Sequence, residues 1–422
     1  MKNKIKIWHL TTAVLLILFV IRFDRLVELT GYACHFIILL FTDTSFVTGI
    51  VTSSSLDVCF SVLAFFLLII LLFLFRKLKP FSLPVNYISF FIILFSILTL
   101  FAPVIATTDP DFQTDIQATK FLSPFSVKEY IEQPVVKQND QQSLKEREYE
   151  FIHSIDEIQR NPVFGDSIKI SNVINVWNNN KVSEFPIVTG YAKPEIKRRI
   201  FLFGTDEYGR DIFSRIVYGT RLAFVIGFGS VIISMLVGIF LGYLAGFYGS
   251  FLNSVLGRIT DMFLSFPVIF LIILIISLFG NSIPAIIFVL GFSGWMSLFK
   301  VVRGEVISIK KTNFITTAKQ LGYSDSRVLV KEILPNIIAP VLVNLILQFG
   351  NVIIAEAALS YLGLGIGGKY PTWGSMIQEG QFYLSHAWWI SFFPCVFLFL
   401  ILFAVNSLGQ QFIKTISRGT VQ

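Results

Sequence analysis

An all-α polytopic membrane protein is what this sequence predicts, and three observations lead there. Of its 422 residues, 54% are hydrophobic, 45 are Phe, and only 14% are charged, where a soluble domain carries about a quarter. Mean hydropathy is +0.71. Runs of about 20 apolar residues recur, each long enough to cross ~30 Å of hydrocarbon as a helix. These runs are continuous rather than alternating, which excludes a β-barrel. The net charge of +7 does not point to nucleic acid, because the Lys and Arg collect beside the apolar runs, as the positive-inside bias requires. Cys34, Cys59 and Cys395 lie in or beside apolar stretches without CxxC spacing and read as small buried hydrophobes. His9, His35, His153 and His386 are far apart and form no pair at helical spacing, so no metal site is read.

The elements follow in order. Lys2, Lys4 and Lys6 precede an apolar run from Ile7 to Ile21 that ends in Arg22, Asp24 and Arg25 without a cleavage signature, so it reads as an uncleaved span with a cytoplasmic N-terminus. Tyr32 to Val51 is apolar but broken by Thr42, Asp43 and Thr44, and reads as re-entrant or interfacial. Val58 to Phe75 is a span, and Arg76, Lys77 and Lys79 mark its cytoplasmic end. Tyr87 to Ile105 leads outward into a polar region from Ala106 to about Ile200, with helical signal near Ser143 to Gln159 and strand-like pieces such as Lys169 to Val176. A small domain and a draped loop are both open for it. Further spans run from Thr220 to Phe247, Met262 to Leu278, Ile283 to Val302, Ile337 to Leu359 and Trp388 to Leu408. This order places Lys300, Arg303, Lys310, Lys311, Lys319, Arg327, Lys331 and the C-terminal tail in the cytoplasm, in agreement with the charge rule.

One cytoplasmic loop stands out. Phe314 to Asn336 reads as a short amphipathic helix with Phe314, Ala318 and Leu321 on its apolar face, then a stop at Gly322. A second helix follows, capped by Ser324 or Asp325, and Pro335 suits the first turn of a third. Two phosphate-binding patterns mislead. Gly363 to Tyr370 formally contains GxGxxG and GxxxxGK, but a membrane helix precedes it and Tyr370 replaces the needed Ser or Thr, so it reads as a helix-end loop. No catalytic constellation is found elsewhere. Glu356, an acid inside an apolar run, reads as a pathway-lining or subunit-interface residue. Pro267, Pro284, Pro340 and Pro394 predict kinks. Gly204 to Arg215, GTDEYGRDIFSR, precedes a span, with Asp206, Gly209, Arg210 and Asp211 as an outer gate or surface element. Ile212, Phe213, Ile216 and Val217 are expected as the apolar face of a helix lying at the outer surface.

At these residues a family comes into view. The loop resembles the cytoplasmic signature of binding-protein-dependent ABC importer permeases, with Thr316, Thr317 and Ala318 in the EAA positions, Gly322 in the glycine position, and Ile333, Leu334 and Pro335 closing it. Together with GTDEYGRDIFSRIVYGTRLAF, DMFLSFP and AEAALSYLGLGIGGKYPTWGSMI, it resembles the dipeptide/oligopeptide/nickel permease family, in the subunit type carrying GTDxxGRD. The likeness covers Gly204 to about Ser417. It implies a six-span type I ABC importer permease core (residues 85–105 and 216–422, coupling loop 303–336), joined here by an additional N-terminal membrane region of about two spans (1–84) and an extracytoplasmic segment (106–215). It further implies a permease for short peptides in the bacterial cytoplasmic (inner) membrane, with nickel chelates or another small solute as the alternative cargo. A stand-alone channel or secondary transporter is the remaining alternative, though no inverted repeat supports it. The implied partners are a second related permease, two cytoplasmic ATPase subunits and an extracytoplasmic solute-binding protein. The chain itself would hold no cofactor and no ATPase site, ATP and Mg being bound by the ATPases. Phe314, Thr316, Thr317, Ala318, Leu321, Gly322, Asp325 and Pro335 are the implied ATPase-coupling residues. The usual glutamate of the signature is Thr316 here, which shifts the expected reliance to Ala318, Gly322 and the apolar face.

Overall fold

A computed structural model describes residues 87–111, 113, 116–132, the strand residues 162–165, 167–170, 173–178 and 181–186, and 196–419 apart from 313–314, 316–322 and 367–369, together with residues 17, 20, 27 and 30. The predicted spans Ile7–Ile21 and Val58–Phe75, the segment Tyr32–Val51 and the helical signal at Ser143–Gln159 therefore lie outside the described residues. The chain divides into two compact units, residues 1–221 with 379–394, and residues 222–378 with 395–422.

In the first unit the predicted span Tyr87–Ile105 is a helix, α1 (Tyr87–Leu100), followed after a turn at Phe101 by a short α2 (Ala102–Ile105), whose Pro103 suits a first turn. A short α3 (Ile116–Thr119) leads into β1 (Ser126–Glu132). The polar region is built of strands: β2 (Pro162–Gly165), β3 (Ser167–Ile170), β4 (Val173–Asn178), β5 (Lys181–Pro186) and β6 (Ile196–Phe201). They form two antiparallel three-stranded sheets, ordered β2-β1-β6 and β3-β4-β5, with Tyr130 opposite both Phe164 and Lys197. The predicted strand-like piece Lys169–Val176 falls across two paired strands, Ile170 opposite Ile174. Phe201 at the end of β6 is buried with Ala118 against Leu122 and Tyr130, which ties the sheet to α3.

Helix α4 runs unbroken from Ile212 to Phe247. At 1.5 Å per residue it is about 54 Å long, well beyond the ~30 Å hydrocarbon thickness. The sequence predicted the span to begin at Thr220, after a separate helix lying at the outer surface. The structure corrects this: Ile212, Ile216 and Val217 are fully buried, and their helix is the first part of α4 itself.

The second unit holds the remaining helices. The predicted span Met262–Leu278 is a bent pair, α5 (Ser250–Ser265) and α6 (Val268–Phe279), turning by 91°. Pro267 stands at the break, where it cannot supply the backbone N–H that a continuous helix needs. Helix α5 thus fills most of the stretch between the predicted spans Thr220–Phe247 and Met262–Leu278. Then come α7 (Ile283–Lys310), α8 (Asp325–Val328), a π-helical turn (Leu329–Ile333), α9 (Leu334–Tyr361), α10 (Trp373–Gly380) and α11 (Trp389–Gly419), the last two extending into the first unit's residues. Among the described residues four helices are long and apolar enough to cross a membrane, or five if the bent pair is one span. Hydrophobicity cannot hold such helices together in lipid, so close packing must. Gly238, Gly242 and Gly246 recur every fourth residue on α4 and receive Leu298, Val302 and Val306 of α7, so that an added Cβ would meet those side chains at 2.8–2.9 Å. Ser230 and Ser234 of α4 donate to the carbonyls of Ile287 and Gly291 on α7, binding the same pair by hydrogen bonds.

Candidate functional site

Two constructions stand out, one in each unit. In the first, the loop before α4 is shaped by glycines and an aspartate. Gly204 and Gly209 have φ of +78° and +75°, a region that favours glycine. A Cβ on Gly209 would meet Thr119 Oγ1 at 2.1 Å. Thr205 Oγ1 accepts from Leu122 N–H at 2.8 Å and donates to the Thr119 carbonyl, while Trp389 Nε1 donates to the Thr205 carbonyl at 3.0 Å. Asp211 caps α4: its carboxylate accepts from the N–H groups of Phe213 and Ser214, from Ser214 Oγ at 2.7 Å and from Thr107 Oγ1.

Asp206 is the hub. Its Oδ1 accepts the N–H groups of Tyr208 and Arg210, both at 2.9 Å, and its Oδ2 accepts Arg210 Nε at 2.6 Å and Arg215 Nη1 at 2.7 Å. Glu379, from α10, accepts the same two guanidiniums at 3.1 and 2.9 Å. Two carboxylates thus face two guanidiniums in a closed lattice, with the Asp206 side chain fully buried and Arg215 2% exposed. Asp111 stands 4.0 Å from Arg210. Its carboxyl is pushed above the usual range by burial, which outweighs the pull of Arg215 and Arg210. Burial likewise raises the Glu207 carboxyl. Carboxylate oxygens of Asp206, Glu207 and Glu379 lie within 4.8 Å of one another, but the lattice does not fit a metal. A cation there would displace two buried guanidiniums from their partners and leave them unpaired in a low-dielectric setting. Asp206, Gly209, Arg210 and Asp211, expected as an outer gate or surface element, are buried in this chain's own packing. Arg215, Glu379, Thr107 and Ser214 were not singled out from the sequence, since their partners lie as many as 169 residues away.

The second construction surrounds the loop between α7 and α9. Phe314, Thr316, Thr317, Ala318, Leu321 and Gly322 lie outside the described residues; Asp325 begins α8, and Pro335 sits in the first turn of α9. The loop's flanks are plugged into a hydrophobic cluster. Ile315, Val328 and Ile333 are buried together with Tyr243 and Phe247 of α4, Leu298, Val302 and Val306 of α7, and Ile337 and Val341 of α9. Tyr243 Oη donates to the Asp325 carbonyl at 3.3 Å, and Lys310 Nζ to the Phe247 carbonyl at 2.6 Å. Ile315 escaped sequence reading because the amphipathic face was drawn through its neighbour Phe314. Higher in α9, Glu356 is 4% exposed and accepts from Ser360 Oγ at 2.7 Å. No ion pair to it occurs among the described residues. The packing there is close: a Cβ on Gly374 of α10 would meet the Ala357 carbonyl oxygen at 2.1 Å. The glycine-rich stretch after α9 is a helix cap. Leu364 N–H bonds the Leu359 carbonyl and Gly363 N–H that of Ser360, with Gly363 at φ +77°, a Schellman motif.

Residues 238–418 match the family model described as binding-protein-dependent transport system inner membrane component. The chain is 38% identical over 208 residues to the dipeptide transport system permease protein DppC of Alkalihalophilus pseudofirmus, covering 49% of this chain and 68% of that one. It is 32% identical over 231 residues to the oligopeptide transport system permease protein OppC of Haemophilus influenzae, covering 55% and 71%. Among solved structures, a chain of the MetNI methionine ABC transporter in an inward-facing form aligns at 15% identity with a TM-score of 0.41, covering 48% of this chain and 96% of that chain.

Proposed function

We propose, from the premise that this chain belongs to the family of binding-protein-dependent transport system inner membrane components, that it is the permease subunit of an ATP-driven importer of short peptides. The cargo follows the relatives, named as dipeptide and oligopeptide permeases. In this reading the chain works in the bacterial inner membrane with both termini in the cytoplasm. It pairs with a second permease, receives peptide from an extracytoplasmic solute-binding protein, and leaves ATP and Mg to two cytoplasmic ATPase subunits.

The observation that carries the mechanism is the anchoring of the loop between α7 and α9. Residues 316–322 would seat on an ATPase as a helix laid in a groove. Ile315 on one side and Val328 and Ile333 on the other are locked into the packed ends of α4, α7 and α9. A packed core is stiff, so displacement of the loop by the closing ATPases moves those helix ends rather than bending the connection. That is the rigid-body rocking by which a bistable permease alternates access. Glu356, buried on α9, belongs in this reading to the pathway side of the moving helices.

The test is reconstitution of the chain with its permease partner, ATPases and binding protein in proteoliposomes. Uptake of alanyl-alanine should require ATP and fall at least tenfold with Ala318→Asp. Uptake that persists without ATP and is indifferent to Ala318→Asp would overturn the reading.

A further inference from the structure

Just past the loop between α7 and α9, the chain departs from a regular helix. Residues 325–361 are helical without a break, α8 passing through the π-helical turn into α9, and in that turn Leu334 N–H bonds the carbonyl of Leu329, five residues back. Such i→i+5 turns are rare and recur at functional sites. Pro335 explains why one forms here. It has no N–H for the Lys331 carbonyl and its ring crowds that carbonyl, so a regular turn is least favourable at this point. Asn336 Nδ2 covers the neighbouring Glu332 carbonyl at 2.6 Å. The wide turn also decides what is buried. On a regular helix Val328 and Ile333 would point about 140° apart, yet both are fully buried in one cluster with Tyr243 and Phe247 of α4.

Two polar contacts fasten the end of α4 to its neighbours. Lys310, in the last turn of α7, donates to the Phe247 carbonyl at 2.6 Å, one of the end carbonyls of α4 that no N–H of the same helix can reach, and its charge suits that C-terminus. Tyr243, 6% exposed, stacks on Phe247 with ring centroids 4.9 Å apart and 22° between planes. Its hydroxyl donates to the carbonyl of Asp325, the first residue of α8, at 3.3 Å. Lys310 thus ties α4 to α7, whereas Tyr243 ties α4 to the segment that leaves the loop. Apolar burial has no direction of its own, so Val328 and Ile333 alone would let α8 turn about its axis. A hydrogen bond is directional and holds one orientation. On the reading that partner ATPases drive this chain through residues 316–322, we propose that Tyr243 is a positioning residue for coupling. Its hydroxyl and the π-helical turn together hold α8 in the one rotational register that hands the loop's displacement to α4.

The experiment uses the assembled importer in proteoliposomes and reads the alanyl-alanine taken up per ATP hydrolysed. Loss of folded or assembled protein lowers both rates together and leaves this ratio alone, so the ratio separates positioning from structure. Tyr243→Phe keeps the ring and its stack on Phe247 while removing the hydroxyl, and should lower the ratio about fivefold, the weight of one hydrogen bond. Deleting Lys331 closes the wide turn to a regular one and rotates α8 by about 100°, so the ratio should fall at least as far. Lys331→Ala removes the same exposed side chain without changing the register and leaves the ratio at the wild-type value. A wild-type ratio in Tyr243→Phe would overturn the proposal, and so would an equal fall in Lys331→Ala and the deletion. Where the deletion variant does not assemble, Tyr243→Phe decides by itself. Failure of the wild-type importer to take up the dipeptide with ATP would instead strike the functional reading beneath it.

Discussion

The charged lattice before α4 makes a quantitative prediction through its hub. Asp206 is fully buried and accepts four hydrogen bonds, two from backbone N–H groups and two from the guanidiniums of Arg210 and Arg215. Asp206→Ala leaves Glu379 as the main counter-charge for both arginines, and 23% of that side chain is exposed. Removing one partner from a buried pair costs about 3–5 kcal/mol. Arg215→Met alone leaves Asp206 still held by Arg210 and should cost less. If the lattice is one unit, the double variant Asp206→Ala/Arg215→Met costs less than the sum of the singles, by about 1–3 kcal/mol. The assay is SDS-induced unfolding in mixed micelles followed by tryptophan fluorescence, with Trp389, bonded to Thr205, as a local reporter. Additivity of the singles to within about 0.5 kcal/mol would refute the lattice as a cooperative element and reduce it to independent contacts.

Other outcomes follow from the same structure. Gly242→Leu on α4 forces a side chain where a Cβ already meets Val302 at 2.8 Å, so folded yield should drop, with a destabilisation of about 1–3 kcal/mol or more seen as an earlier SDS midpoint. Ile315→Ala removes a fully buried anchor and should loosen the loop between α7 and α9 by about 2–5 kcal/mol, read as faster trypsin cleavage at Lys319 in inside-out vesicles. Asp111 and Glu207 hold their protons more tightly folded than unfolded because of burial. Stability therefore declines as pH climbs from about 4, the unfolded carboxyl value, up to the raised folded values, and then levels. Asp111→Asn with Glu207→Gln should flatten that slope in unfolding midpoints taken from pH 4 to 8.

The membrane class was legible because length and apolarity decide it locally: Ile283–Val302 and Ile337–Leu359 needed no partner to be recognised, and the helices found there extend them only at the ends. The start of α4 was misjudged because Asp211 and Arg215 look like surface groups in sequence, whereas a buried charge becomes tolerable only when its partner is known. For Arg215 the distant partner is Glu379, 164 residues along the chain; for Asp211 it is Thr107, 104 residues before it. Pro267 did announce a break, but a proline specifies a missing N–H and a clash rather than an angle, so the 91° turn could not be read from it. The glycine-rich stretch after α9 was read as a helix-end loop because its preceding helix was visible in the pattern. Its real use, the cap at Gly363, depends on a φ that only the fold sets.

Glu356 offers the sharpest separation of stability from work. The side chain is enclosed by its own chain, its one hydrogen-bond partner is the Ser360 hydroxyl, and no cation offsets it among the described residues. A buried carboxyl so sparsely satisfied weakens a fold relative to an apolar residue of like volume. Glu356→Met should therefore raise the SDS midpoint, by about 1–2 kcal/mol, since the stem is retained and the desolvated oxygens are removed. If the acid serves the moving helices, the same variant should lose ATP-dependent dipeptide uptake by at least tenfold despite its greater stability. A variant that is less stable yet transports normally per folded molecule would show that the carboxyl is a structural peg in the packing of α9. The two effects carry opposite signs under the two roles, so a single substitution, measured both ways, decides between them.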